Sequence, residues 1–137
     1  MRRITALCSV TLTAVVLAGC GGSTDETPAV RAAVVAYGKA VAAKDYTKIC
    51  NQLFAPNLLQ QMASIALPCK TALSRGLGKV KKPTMTVGAI KVTGENAVAD
   101  VHTAAANQSA ADSSIGLVKF GGTWRIASLA GAVTPAK

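Results

Sequence analysis

Thr84-Met85-Thr86-Val87-Gly88-Ala89-Ile90-Lys91-Val92-Thr93, followed by Gly94-Glu95-Asn96 and then Ala97-Val98-Ala99-Asp100-Val101-His102-Thr103, sets the architecture of this chain. In a strand, successive side chains point to opposite faces, so alternation is the signal to follow. Met85 and Val87 share one phase, Ile90 and Val92 the other, and the slip falls at Gly88. That pattern predicts a β-bulge that bends the strand. Gly94-Glu95-Asn96 then turns the chain into an antiparallel neighbour. In that neighbour Ala97, Ala99 and Val101 take the core phase, while Val98, Asp100 and His102 share the opposite face. A polar loop is expected over Ala105 to Asp112. Ser114–Phe120, Gly121-Gly122 and Thr123–Leu129 then read as a last hairpin, with Phe120 and Trp124 as its packing residues rather than a ligand-stacking pair.

Upstream the periodicity changes. Thr27-Pro28 is a helix start, with a capping hydroxyl and proline at the first helical position. Asp25 and Glu26 put negative charge where the helix dipole favours it. Val30, Val34, Tyr37 and Val41 then repeat at the spacing of one helical face. Asp45 is placed to cap a second helix carrying Tyr46, Ile49, Cys50 and Leu53. Pro56 opens a third, with Leu58, Leu59, Met62 and Ile65 as its apolar side. Pro68 opens a short fourth with Cys69, Ala72 and Leu73, ended by Gly76 or Gly78. Helices first and an antiparallel meander second is α+β grammar. The expected arrangement packs the N-terminal helices on a curved antiparallel sheet, with a pocket in the concavity.

With 137 residues, half of them hydrophobic, the chain supports one folded domain and excludes disorder along its length. One His and four scattered Cys exclude a His-based catalytic metal centre and a four-ligand zinc site. No metal and no cofactor is expected. The formal net charge is +9. Arg75, Lys79, Lys81 and Lys82 form the one basic cluster. No aromatic residues interleave with it, which speaks against nucleic acid. It reads as contact with an anionic surface, or simply as a solvated loop.

The N-terminus reads as an address. Met1-Arg2-Arg3 precedes an uncharged run from Ile4 to Gly19, too short for the ~20 residues that cross a bilayer. The run ends Leu17-Ala18-Gly19-Cys20, which resembles the lipobox of bacterial lipoproteins; an uncleaved anchor with a chance cysteine is the rival reading. The resemblance implies a signal peptide over 1–19, a lipid on Cys20, and an extracytoplasmic protein held at the cell membrane. Residues 20–27 would be a flexible tether, and seven extended residues reach at most roughly 25 Å. The domain itself would run from 28 to 130, with 131–137 a loose tail. Cys8 would leave with the signal and Cys20 would be lipidated, so Cys50 and Cys69 remain in a compartment where disulfides persist. A Cys50–Cys69 bridge is expected, two buried free thiols being the alternative.

Three segments together resemble the nuclear-transport-factor-2-like superfamily (the cystatin-like and SnoaL-like folds). They are Ala29-Val30-Arg31-Ala32-Ala33-Val34-Val35-Ala36-Tyr37, Ala43-Lys44-Asp45-Tyr46 and Lys119-Phe120-Gly121-Gly122-Thr123-Trp124-Arg125-Ile126. The paired Cys50 and Cys69 are similar to those of a secreted actinobacterial lipoprotein branch of it. The resemblance implies a cone-shaped α+β fold. It also implies a choice, because the superfamily holds isomerases, dehydratases, cyclases and many non-catalytic members, and fold alone does not decide among them. Tyr37 matches the first-helix position where the isomerases keep an oxyanion-stabilising Tyr, a position also used for packing. The segment that supplies the isomerases' general base reads Phe54-Ala55-Pro56-Asn57-Leu58-Leu59-Gln60-Gln61 here and carries no carboxylate.

Asp100 and His102 are the remaining catalytic candidates. Two apart on a strand, they point the same way: into the cone beside Tyr37, or out to solvent. The expected function is a membrane-anchored, non-catalytic domain binding a small apolar ligand or a cell-envelope partner protein. The alternatives are a small lyase or isomerase using Asp100, His102 and Tyr37, and a structural module that forms a homodimer through the sheet.

Overall fold

The computed structural model describes residues 24–129. The expected signal peptide, Cys20 and residues 130–137, which include the expected tail, therefore lie outside the described residues. Four helices precede four strands: α1 (Thr27–Ala42), α2 (Tyr46–Lys48), α3 (Pro56–Ser64), α4 (Cys69–Leu77), β1 (Thr84–Thr93), β2 (Asn96–Ala105), β3 (Gln108–Phe120) and β4 (Thr123–Leu129). The strands form one antiparallel sheet in chain order, β1-β2-β3-β4. The fold is α+β, with the helices laid on one face of an open meander. No helix among the described residues is long and apolar enough to cross a membrane.

The stripe read from the sequence is the stripe that packs. Val30, Val34, Tyr37 and Val41 are buried against Ala97, Ala99 and Val101 of β2 and Ile115 and Leu117 of β3. Removing this much apolar surface from water is the main force that closes the fold. β1 bends as its phase slip requires. Its register with β2 shifts between Val87 and Ile90, so Met85, Val87, Ile90 and Val92 all pack against the one core.

The start of α1 differs from expectation. The Thr27 hydroxyl makes no cap; the Asp25 carboxylate accepts the Thr27 amide at 3.0 Å instead. Glu26, read as part of a tether, holds the termini of the fold together. Its carboxylate takes the Lys119 ammonium at 2.7 Å and the Trp124 indole N–H at 2.9 Å. These two donors hold the Glu26 carboxyl below its ordinary range, Lys119 contributing more than Trp124.

Asp45 caps α2 as expected, accepting the Lys48 amide at 2.9 Å. The next five residues, Ile49–Leu53, form a π-helical turn closed by Phe54 N–H on the Ile49 carbonyl at 2.9 Å, a feature the sequence did not signal. That turn lets Phe54 drop fully into the core beside Tyr37, ring centroids 6.0 Å apart. It also brings Cys50 to Cys69, whose Cα atoms lie 6.0 Å apart across a disulfide joining the turn to α4.

Three local expectations are corrected. Residues 105–112 are mostly strand: the polar loop shrinks to a turn at Ala106-Asn107, and β3 begins at Gln108. Ile65 is 69% exposed, because α3 stops at Ser64 and the chain reverses at Ala66. Phe120, read as hairpin packing, is half exposed with the Arg125 guanidinium 5.8 Å over its ring.

Both sheet edges are managed. Along β4, Ala55 N–H bonds the Ile126 carbonyl at 2.7 Å and Asn57 reaches the Ala127 carbonyl at 3.3 Å. On β1, the Arg31 guanidinium takes the carbonyls freed at the bulge, Val87 at 3.0 Å and Gly88 at 3.2 Å.

Candidate functional site

A cavity of about 230 Å³ lies between the second half of α1, the end of α4 and the concave face of β1, β2 and β3. It exceeds the ~150 Å³ apolar cavity that admits benzene. Helix geometry opens it. Gly38 lets α1 approach β1 so closely that an added Cβ would stand 3.2 Å from that of Met85, and Val41 one turn on faces the widening gap. The floor is Val101 and Ile115, both buried; Leu77, Val80 and Met85 form the sides. Thr84, Gln108 and Ser109, all exposed, mark the open side.

Among the described residues, Tyr37 is the only titratable one in this lining. Burial pushes its phenol up to about 12, so it stays protonated across the physiological range. Among the described residues nothing hydrogen-bonds its hydroxyl, which is left as one polar group in a largely aliphatic wall. A protonated hydroxyl can orient a ligand oxygen. Proton abstraction would need a base that the lining lacks.

The sheet separates Tyr37 from the other two catalytic candidates. Asp100 and His102 are exposed on the opposite face of β2, with Thr86 and Ser114 beside them. His102 pairs there with Asp112 of β3, Nδ1 to Oδ1 at 2.7 Å, rather than with Asp100. Both side chains of that pair are well exposed, 54% and 88%, so the contact is worth little. Among the described residues no three His, Cys, Asp or Glu side chains gather as a metal site would need.

Of the basic cluster, Arg75 lies exposed in the last turn of α4, while Lys79, Lys81 and Lys82 lie in the connector from α4 to β1, which is not loose. Asn107 in the β2–β3 turn accepts the Lys81 amide at 2.8 Å and donates to the Lys79 carbonyl at 2.9 Å, while Ala106 N–H bonds the Lys81 carbonyl at 2.8 Å. Between the lysines, Val80 is buried and lines the cavity, as does Pro83. The sequence reading passed over Val80 and Pro83 as parts of a basic linker. Their signal was a lone aliphatic residue inside a run of lysines.

No family model and no curated protein matches the chain. Among solved structures, the chain is similar to that described as "Crystal structure of Kfla4162 protein from Kribbella flavida". The TM-score is 0.55 at 11% sequence identity, over 74% of this chain and 86% of that one. At such identity the likeness concerns the fold alone: helices followed by a four-stranded antiparallel sheet.

Proposed function

We propose that this chain is a lipid-anchored, extracytoplasmic domain of nuclear-transport-factor-2-like type that holds a small apolar ligand in its concave cavity without transforming it. The observation that carries this reading is the cavity lining: among the described residues, mostly aliphatic side chains, a few hydroxyls and one phenol protonated across the physiological range, with no carboxylate, imidazole or thiol. Small-molecule sites have this character, mostly apolar with few placed polar groups. The element order, the bulged first strand and the stripe along α1 support the cone type. The lipobox-like Leu17-Ala18-Gly19-Cys20 and the Cys50–Cys69 disulfide support an oxidising compartment and membrane attachment. The rival reading as a lyase or isomerase has less support, since Asp100 and His102 stand across the sheet from Tyr37.

The test is thermal unfolding with 1-octanol or toluene added, using the parent and Thr103→Phe, which fills the cavity from β2. Binding to the folded state alone raises Tm by mass action. The reading expects a Tm rise in the parent that Thr103→Phe abolishes. No rise in the parent, or an equal rise in both, overturns it.

A further inference from the structure

We infer that the ligand of this cavity is an anionic amphiphile, its apolar body inside and its carboxylate or phosphate head on Lys79, Lys81 and Lys82. This rests on the cavity reading above and names the ligand class. The motif Lys79-Val80-Lys81-Lys82-Pro83 alternates function as well as polarity: Val80 and Pro83 face into the cavity, while the three lysines between and beside them are exposed. Three hydrogen bonds to Ala106 and Asn107 fix this backbone beside the open side marked by Thr84, Gln108 and Ser109. The backbone that carries the lysines is therefore held beside the cavity's open side rather than loose.

Charge balance points the same way. The chain has six acidic residues, all of them described, and five stand away from this mouth. Asp25 and Glu26 sit at the start of α1. Glu95 joins that end, since its carbonyl takes the amide of Lys119, the residue that pairs with Glu26. Asp100 and Asp112 lie on the outer sheet face. The sixth, Asp45, is occupied in capping α2. Lys44 reaches from the end of α1 to the Gly78 carbonyl at 2.7 Å, bringing a fourth cation to the residue before Lys79. Among the described residues no carboxylate pairs with Lys79, Lys81 or Lys82. An anion entering there meets three lysines that no carboxylate pairs with, and its tail meets Val80.

The experiment measures octanoate and its neutral isostere octanamide, each below its aggregation limit, by isothermal titration or methyl chemical-shift titration. Proteins are the parent and the triple variant Lys79→Gln/Lys81→Gln/Lys82→Gln. Several exposed charge contacts at 0.2–1 kcal/mol each predict octanoate binding about tenfold tighter than octanamide. That advantage should vanish in the variant and in ~1 M salt, where the screening length falls to about 3 Å. Octanamide should bind both proteins alike. Equal affinity for the two ligands in both proteins overturns the anionic assignment and leaves the cavity standing. Binding of neither ligand overturns the cavity reading itself. Lysine-dependent binding to phosphatidylglycerol vesicles, with no octanoate binding, assigns the cluster to a membrane and overturns the inference.

Discussion

Reducing the Cys50–Cys69 disulfide should cost this fold about 3 kcal/mol. The bridge closes a loop spanning a sequence separation of 19, and the chain-entropy relation for a loop of about that length gives roughly 11 cal/mol/K, or ~3 kcal/mol at 25 °C. The position matters as much as the loop. Cys50 is buried in the π-helical turn, and α4 is held to the rest of the protein by Leu73, Leu77 and the disulfide, with Lys44 bonded to Gly78 just past its end. For a domain of this size 1 kcal/mol moves Tm by about 4–8 °C, so reduction should lower Tm by ~12–24 °C. The assay is urea unfolding, followed by circular dichroism, of the oxidised protein, the reduced protein and Cys50→Ala/Cys69→Ala. The double variant should fall slightly below the reduced protein, since trimming buried Cys50 leaves a small void. Because α4 forms one side of the cavity, octanoate affinity should weaken on reduction as well. Coincident transitions for oxidised and reduced protein would refute the claim that the bridge constrains the chain.

Four further outcomes follow from individual residues. Ala66→Gly should stabilise by up to about 1 kcal/mol: Ala66 ends α3 at φ +52°, Leu67 N–H reaching the Met62 carbonyl, a left-handed position glycine takes without penalty. Stability should fall as the solution is acidified. Glu26 has a folded pKa below its unfolded one, so its contribution is complete above the ordinary glutamate value of about 4.3 and is lost as pH drops through the folded value. Glu26→Gln should flatten this part of the stability-versus-pH curve, and an unchanged curve would count against the Lys119–Glu26–Trp124 tie. His102→Ala should alter stability by under ~1 kcal/mol and leave ligand affinity alone, because an exposed side-chain contact to Asp112 on the far side of the sheet is all it removes; a change in affinity would place His102 at the site. Cys20→Ser should move the protein from the membrane fraction to the soluble one, and unaltered fractionation would speak against the lipid anchor.

Much of the fold was legible because single residues carried strong local rules. The 3.6-residue stripe of α1, the Asp45 cap, the prolines opening α3 and α4 and the phase slip at Gly88 each depend on neighbours a few positions away. What escaped the reading depends on partners far along the chain. Residues 108–112, Gln-Ser-Ala-Ala-Asp, have low strand propensity; they become strand because β2 offers an unfilled ladder, with Thr103 opposite Ala111 and His102 opposite Asp112. Glu26 looked like a dipole charge on a tether until the last hairpin brought Lys119 and Trp124 to it, 93 and 98 residues later. For the site, the sequence identified Tyr37 and left the direction of Asp100 and His102 open, since a strand fixes that two residues share a face but not which face is hollow. Val80 was hidden by its lysine neighbours, whose backbone is ordered only by the Asn107 turn.

The most direct measurement is an isotope-filtered NOE spectrum of octanoate bound to labelled protein. The account predicts transfer from the acyl chain to the methyl groups of Val80, Met85 and Ile115, none to residues of the outer sheet face such as Val98, and loss of every cross-peak in Thr103→Phe. Cross-peaks confined to Val98 or other outer-face groups, or saturating octanoate with no protein contact at all, would contradict it.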